Sequence, residues 1–172
     1  MSRAGAVTFK GNPLTLAGEA VTVGKPAPDF TLHYFEGGLQ KLCLADLKGK
    51  PSILSVVPSL DTPVCAMQTK KFNEQLGALG DKVNAVTVSL DLPFAMNRFC
   101  GAESIKNMRV GSDYQDRNFG TSWGTLIEEL KIMSRAIFVL DSNCNVVYAE
   151  YVTEVASEPN YEAAMEALKG QL

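Results

Sequence analysis

The chain is predicted to adopt an α/β fold, a central mixed β-sheet flanked by helices and preceded by an N-terminal β-hairpin extension. Three features predict it. Residues 53–57 form a continuous, mostly apolar run and residues 83–90 a second, apolar-rich one with β-branched residues, the pattern of strands covered on both faces. A long helical segment lies between them, so the middle of the chain reads β-α-β. A strand pair and an amphipathic helix close the C-terminal third.

Taken in order, residues 7–9 and 14–16 alternate around Lys10-Gly11-Asn12-Pro13 and predict the first hairpin, an extension of about residues 1–20. Residues 30–35 and 39–42 around Gly37-Gly38 predict a second. The strand at 53–57 leads into a helix from about 62 to 79 that ends near Gly80. The strand at 83–90 follows, then a short helix or helical loop at 93–102 and a short strand at 108–110. Residues 118–123 match neither period cleanly. Residues 136–140 and 146–149 read as strands joined by Asp141-Ser142-Asn143-Cys144-Asn145. Residues 161–168 form the closing helix, with Met165 and Leu168 on one face. This order is that of a thioredoxin-like fold.

At 172 residues, with 46% hydrophobic and 20% charged residues, the chain suits one domain spanning 1–172 with a substantial core. The net charge of −3 is spread along the chain without a basic stripe, which argues against nucleic-acid binding. The first residues, Met1-Ser2-Arg3-Ala4-Gly5-Ala6, carry no secretory apolar region, and no apolar stretch approaches the ~18 residues of a membrane helix. A cytoplasmic location is the expectation. The four cysteines, at 43, 65, 100 and 144, form no C-x-x-C pair, so neither a zinc knuckle nor a dithiol motif is present. A static disulfide framework is not expected in a cytosolic chain.

The most informative segment is Pro58-Ser59-Leu60-Asp61-Thr62-Pro63-Val64-Cys65. It joins the strand at 53–57 to the helix that follows. With Thr62 as N-cap and Pro63 as the first helical residue, Cys65 falls at the third helical position. Unpaired N–H groups and the positive end of the helix dipole converge there and favour a thiolate.

Pro58, Thr62 and Cys65 match the P-x-x-x-T-x-x-C motif of peroxiredoxins, and the octapeptide resembles their thiol peroxidase (Tpx) subfamily, of the atypical two-cysteine type. Asp91-Leu92-Pro93-Phe94-Ala95-Met96-Asn97-Arg98-Phe99-Cys100 resembles the segment where that subfamily carries its resolving cysteine. Arg135-Ala136-Ile137-Phe138-Val139-Leu140-Asp141 resembles the segment of its active-site arginine. The N-terminal hairpin is a further common feature, so the resemblance covers nearly the whole chain. It implies a thiol-dependent peroxidase for hydrogen peroxide and alkyl hydroperoxides, working in antioxidant defence without metal, haem or other cofactor. Cys65 would attack the peroxide, Cys100 would resolve the sulfenic acid as an intrachain disulfide, thioredoxin would reduce it, and the protein would be a homodimer.

The chemistry accounts for the residue types. A thiolate cleaves the O–O bond to give a sulfenic acid and an alcohol or water. Thr62 stands one turn before Cys65, so its hydroxyl can reach the sulfur or a peroxide oxygen. Pro58, which lacks an N–H, shields the thiolate and shapes the loop. An arginine stays cationic and donates in a fixed plane, and Arg135 pointing into the same pocket is carried over from the resemblance. A disulfide needs Cα atoms within ~7 Å. Cys65 and Cys100 on separate helices are therefore expected to require local unwinding.

The same residues admit rival readings. One is a redox sensor that passes the Cys65–Cys100 switch to a partner protein, and another is a binding module with inert cysteines. A Cys–His hydrolase would need His33, the one histidine, beside Cys65, but its place on a hairpin strand points to structure. Cys43 is expected to be buried and Cys144 to be exposed in its turn, neither with a role. Trp123-Gly124-Thr125 stands where a Tyr-Gly-Val-like string is the subfamily pattern. Trp123 with Phe94 and Met96 makes either an apolar mouth for organic hydroperoxides or ordinary core.

Overall fold

The computed structural model describes residues 1–172. Its elements are β1 (Ser2–Phe9), β2 (Asn12–Ala17), β3 (Thr31–Phe35), β4 (Leu39–Cys43), β5 (Ser52–Val56), α1 (Pro63–Leu76), β6 (Asn84–Ser89), α2 (Pro93–Glu103), β7 (Arg109–Ser112), α3 (Asn118–Ser122), β8 (Ala136–Leu140), β9 (Val146–Tyr151) and α4 (Tyr161–Lys169). Seven strands form one mixed sheet in the order β4-β3-β7-β6-β5-β8-β9, and β1-β2 stand apart as a two-stranded hairpin. The β5-β6-β7 pairings are parallel, and the β5-β8, β8-β9, β3-β7 and β3-β4 pairings are antiparallel. This is a thioredoxin-like α/β fold with an added hairpin. No helix is long and apolar enough to cross a membrane.

The apolar residues of the central strands split by parity, because successive side chains point to opposite faces. Leu54, Val56, Val86, Val88, Phe138 and Leu140 face one core with Phe119 and Trp123. Ile53, Ala85, Ile137 and Val139 face the other, under Phe72 and Leu76 of α1 and Ala164, Met165 and Leu168 of α4. The α1 stripe Cys65, Gln68, Thr69, Phe72 and Leu76 follows helical spacing on this second face.

Several boundaries differ from the sequence reading for local reasons. The first hairpin turns on Lys10-Gly11 alone, both with positive φ (50° and 82°), while Asn12 and Pro13 pair with Phe9 and Thr8 inside β2. Helix α1 ends at Leu76 and hands over through Gly77 to a tight turn at Gly80–Lys82. Residues 93–103 are a regular helix with Pro93 in its first turn. The weakly patterned segment is helical as α3 because the Asp113 carboxylate accepts from Phe119 N (3.1 Å) and Gly120 N (2.8 Å). Burial raises the Asp113 carboxyl to about 6 against the pull of those two amides. The hairpin is joined to the body through Gly18 (φ +76°), where a Cβ would collide with the Thr121 carbonyl.

Trp123 is core, not mouth. It is fully buried, stacked on Phe119 at 4.7 Å and edge-on to Phe138 at 5.0 Å. Its indole N–H, which needs an acceptor once buried, donates to the Pro28 carbonyl at 3.1 Å. Phe94 is exposed and leans on Phe35 at 5.5 Å. Trp123→Ala is expected to destabilise the protein by about 3–5 kcal/mol, lowering Tm by roughly 10 °C. A calorimetric loss below about 1 kcal/mol would mean that the site refills itself and that the stack is not a keystone.

Candidate active site

Cys65 sits where capping logic puts it. Thr62 is the extended N-cap residue (φ −100°, ψ 147°), Pro63 opens α1, and Cys65 is third. The sulfur is fully buried among Val57, Leu60 and Met96, with Phe99 and Val110 packed against the cluster. The loop before it is braced from β6. The Asp91 carboxylate accepts from Ser59 Oγ (2.7 Å), Leu60 N (2.8 Å) and Ser89 Oγ (2.7 Å).

Strand register brings Arg135 to the sulfur. β8 runs antiparallel to β5 with Ala136 opposite Val56, so Arg135 stands level with Val57 at the β5 end that leads into the loop. Parity then turns it to the α1 face, on the side of Ser55 and Ile137. Its guanidinium is 2% exposed and donates three ways: Nη2 to the Cys65 sulfur (3.4 Å), Nη1 to Gln68 Oε1 (2.8 Å) and Nε to the Val155 carbonyl (3.0 Å). Gln68 in turn donates from Nε2 to Ser55 Oγ at 2.7 Å. A buried cation is costly unless its donors are satisfied. Here the acceptors lie on helix α1 and in the turn after β9, which also fixes the plane in which the sulfur is approached.

Pro58, Thr62 and Arg135 line one cavity of about 250 Å³. Its remaining wall is largely apolar: Phe9 from the hairpin tip, Leu130 and Ile132 from the loop before β8, and Val155 and Ala156 from the turn after β9. Trp123, Phe94 and Met96, for which two readings stood open, do not line this cavity, whose apolar wall comes from other residues. Pro58 is buried. Thr62 is exposed, and its hydroxyl donates to the Ser59 carbonyl (2.9 Å) and makes no hydrogen bond to the sulfur.

Cys100 is on α2 and faces elsewhere. It lines a separate cleft of about 310 Å³ with Tyr34, Asn97, Met108 and Arg109, none of which borders the cavity lined by Pro58, Thr62 and Arg135. Burial pushes its thiol up to about 11. Cys144, expected to be exposed, is buried, held in its turn at φ 63° with its sulfur 3.7 Å from the Leu44 carbonyl. Burial raises that thiol as well. Cys43, expected to be buried, is partly exposed at the end of β4. His33 stacks edge-on with Tyr114 at 5.9 Å in the β3–β7 region, and Cys65 has Arg135 as its charged neighbour.

The Redoxin family model matches residues 22–165. The thiol peroxidase of Bacillus subtilis is 52% identical over 163 residues, 95% of this chain and 96% of that protein. The chain belongs to the redoxin family, in its thiol peroxidase subfamily. The thiol peroxidase of Streptococcus pneumoniae is 48% identical over 95% of this chain and 98% of its own. A peroxiredoxin-like protein from Aquifex aeolicus superposes with a TM-score of 0.90 at 38% identity, covering 98% of both chains. Thiol peroxidase from Chromobacterium violaceum, at 18% identity and a TM-score of 0.83, shares the fold over 95% of both chains. Subfamily membership makes the protein an enzyme of the peroxiredoxin class.

Sequence reading missed Gln68 and the Val155 carbonyl. A signal for Gln68 was present: it lies three residues after Cys65 on the same buried helix face, a long polar side chain in a stripe with Phe72 and Leu76. The Val155 carbonyl left none, because a backbone acceptor has no side-chain identity to read.

Proposed function

We propose that the protein reduces hydrogen peroxide and alkyl hydroperoxides at Cys65 and is recycled through an intrachain Cys65–Cys100 disulfide by thioredoxin. One observation carries the reading: the Arg135 guanidinium donates to the Cys65 sulfur beside an apolar cavity bordered by Pro58 and Thr62. The Cys65 thiolate attacks the terminal peroxide oxygen. The O–O bond breaks, sulfur is oxidised to sulfenic acid, and the leaving alkoxide or hydroxide takes a proton. Arg135 stabilises negative charge first on sulfur and then on the departing oxygen. The cavity holds several times the ~30 Å³ that a water-sized molecule takes in the liquid, so an organic tail fits against Phe9, Leu130 and Ile132.

Resolution requires movement. Cys100 must attack the Cys65 sulfenic acid as a thiolate, forming S–S and releasing water. In folded α2, burial holds that thiol at about 11 and keeps it protonated at neutral pH. Unwinding α2 brings the sulfurs together and exposes the thiol to water, which returns it toward its ordinary range and raises the thiolate fraction. Closing the 35-residue loop removes about 4 kcal/mol of unfolded-chain entropy, which can offset the lost helix. The same family reading makes a homodimer the working form.

Steady-state peroxide consumption with thioredoxin, thioredoxin reductase and NADPH tests the cycle. Sustained turnover is expected. A single stoichiometric burst would instead favour a sensor that relays oxidation to a partner. Cys100→Ser is expected to keep the burst, lose thioredoxin-linked turnover, and collect sulfinic acid by mass spectrometry. A Cys100→Ser protein that turns over like the native one, or a peroxide-induced link from Cys65 to Cys43 or Cys144, would remove Cys100 from the cycle.

A further inference from the structure

Arg135 is held on its Nε side by the Val155 carbonyl, and Val155 is held by the N-terminal hairpin. Val155 N donates to the Thr8 carbonyl (2.8 Å), and Thr8 N donates to the Thr153 carbonyl (2.7 Å), so β1 forms a short parallel bridge with the turn after β9. The Val155 side chain is buried with Val7, Leu16 and Ile127, at the seam between hairpin and body. Its side chain thus faces the hairpin while its carbonyl faces the guanidinium. Glu154 closes this seam. Its Oε1 accepts from the Thr8 hydroxyl (3.1 Å) and from Gly11 N at the hairpin tip (3.0 Å), and its Oε2 accepts from Ala156 N (2.8 Å). One carboxylate therefore ties two segments far apart in the sequence, on either side of the residue that aims Arg135. These bonds hold the Glu154 carboxyl below its ordinary range.

We propose that Glu154 is a positioning residue of the peroxidase reaction, fixing the hairpin tip to the turn at 153–156 so that the Val155 carbonyl stays on Arg135 Nε. The inference rests on the reading that Arg135 acts at Cys65. Glu154 touches neither sulfur nor the cavity, so its effect passes entirely through the guanidinium. Glu158, the other carboxylate on this segment, is engaged by Lys71 Nζ (3.0 Å) and the Tyr161 hydroxyl (2.8 Å). It does not substitute for the Val155 carbonyl.

The test is the second-order rate of peroxide reduction by the pre-reduced full-length protein, read by stopped flow, with 1H–15N NMR of the Arg135 Nε–H. Glu154→Ala is expected to lower the rate about tenfold, since small misplacement of a catalytic group is costly. It is also expected to shift the Nε–H signal and speed its exchange, while amides of the β5–β8 pairing stay protected. Glu154→Gln, which keeps an acceptor for the hairpin, should recover most of the rate, and Thr8→Val should cost about two- to threefold. In an Arg135→Ala background, Glu154→Ala should have no further effect on the rate. An unchanged rate and unchanged Nε–H in Glu154→Ala would overturn the proposal, as would an equal loss with Arg135 absent. Should Glu154→Ala fail to fold, Thr8→Val carries the same two readouts with the same meaning. If Arg135→Ala alone leaves the rate intact, the reading of Arg135 fails at its root, an outcome separable from the others because it needs no Glu154 variant.

Discussion

Cys65→Ser is expected to remove peroxide reduction by roughly 10⁴-fold or more, the scale on which enzymes lose rate when their nucleophile is deleted. A serine hydroxyl is not ionised near neutral pH and lacks the polarizable sulfur that attacks an O–O bond. The replacement is small, and the site is well suited to absorb it. Arg135 Nη2 still finds an oxygen acceptor, and Val57, Leu60 and Met96 keep their packing. Folding stability should therefore change by about 1 kcal/mol or less, so loss of activity reports on chemistry. Stopped-flow peroxide consumption with mass spectrometry of the product checks it. A stoichiometric burst surviving in Cys65→Ser would transfer the chemistry to another thiol and end the proposal.

Arg135→Ala is expected to be the second largest effect, lowering the rate of sulfenic acid formation by about 10²–10³-fold, as removal of a preorganised donor from an anionic transition state does. It should also destabilise the protein by about 2–4 kcal/mol, because Gln68 Oε1 and the Val155 carbonyl lose their donor inside the core. Arg135→Lys separates charge from geometry. An ammonium restores the cation but cannot span the sulfur, Gln68 and Val155 in one plane. Its rate should lie between those of Arg135→Ala and the native protein. Native activity in Arg135→Lys would mean that charge alone suffices. A rate within threefold of native in Arg135→Ala would mean that the guanidinium is structural. Thermal unfolding of the same proteins keeps the two losses apart.

These outcomes bear on residues that were legible to different degrees. Cys65 was readable to the position, because an N-cap threonine and an N1 proline lie within one octapeptide and a strand runs directly into it. The sheet strands were readable from apolar-rich runs and hairpin turns, to within a residue or two at their ends. Helix α3 was not, because its N-terminal amides are satisfied by Asp113, five residues before the helix begins. Trp123 could be read as mouth or core, and only the placement of Phe119, Phe138 and the Pro28 carbonyl decided it. Cys144 was misjudged for a similar reason. A cysteine in a five-residue turn reads as exposed, yet this turn folds back against Leu44.

By itself the sequence determined an α/β chain with a thioredoxin-like order of elements, a cysteine at the start of a helix, and the residue types that peroxide chemistry needs. Tertiary structure alone decided which of those groups meet. Arg135 reaches Cys65, 70 positions away, because an antiparallel register sets Ala136 opposite Val56 and side-chain parity turns its neighbour toward α1. A shift of one residue in that register would point the guanidinium to the opposite face. Register depends on the packing of both faces of the sheet at once, and no local stretch of sequence carries that information. The same holds for the link from the hairpin through Glu154 and Val155 to Arg135, whose final bond ends on a backbone carbonyl.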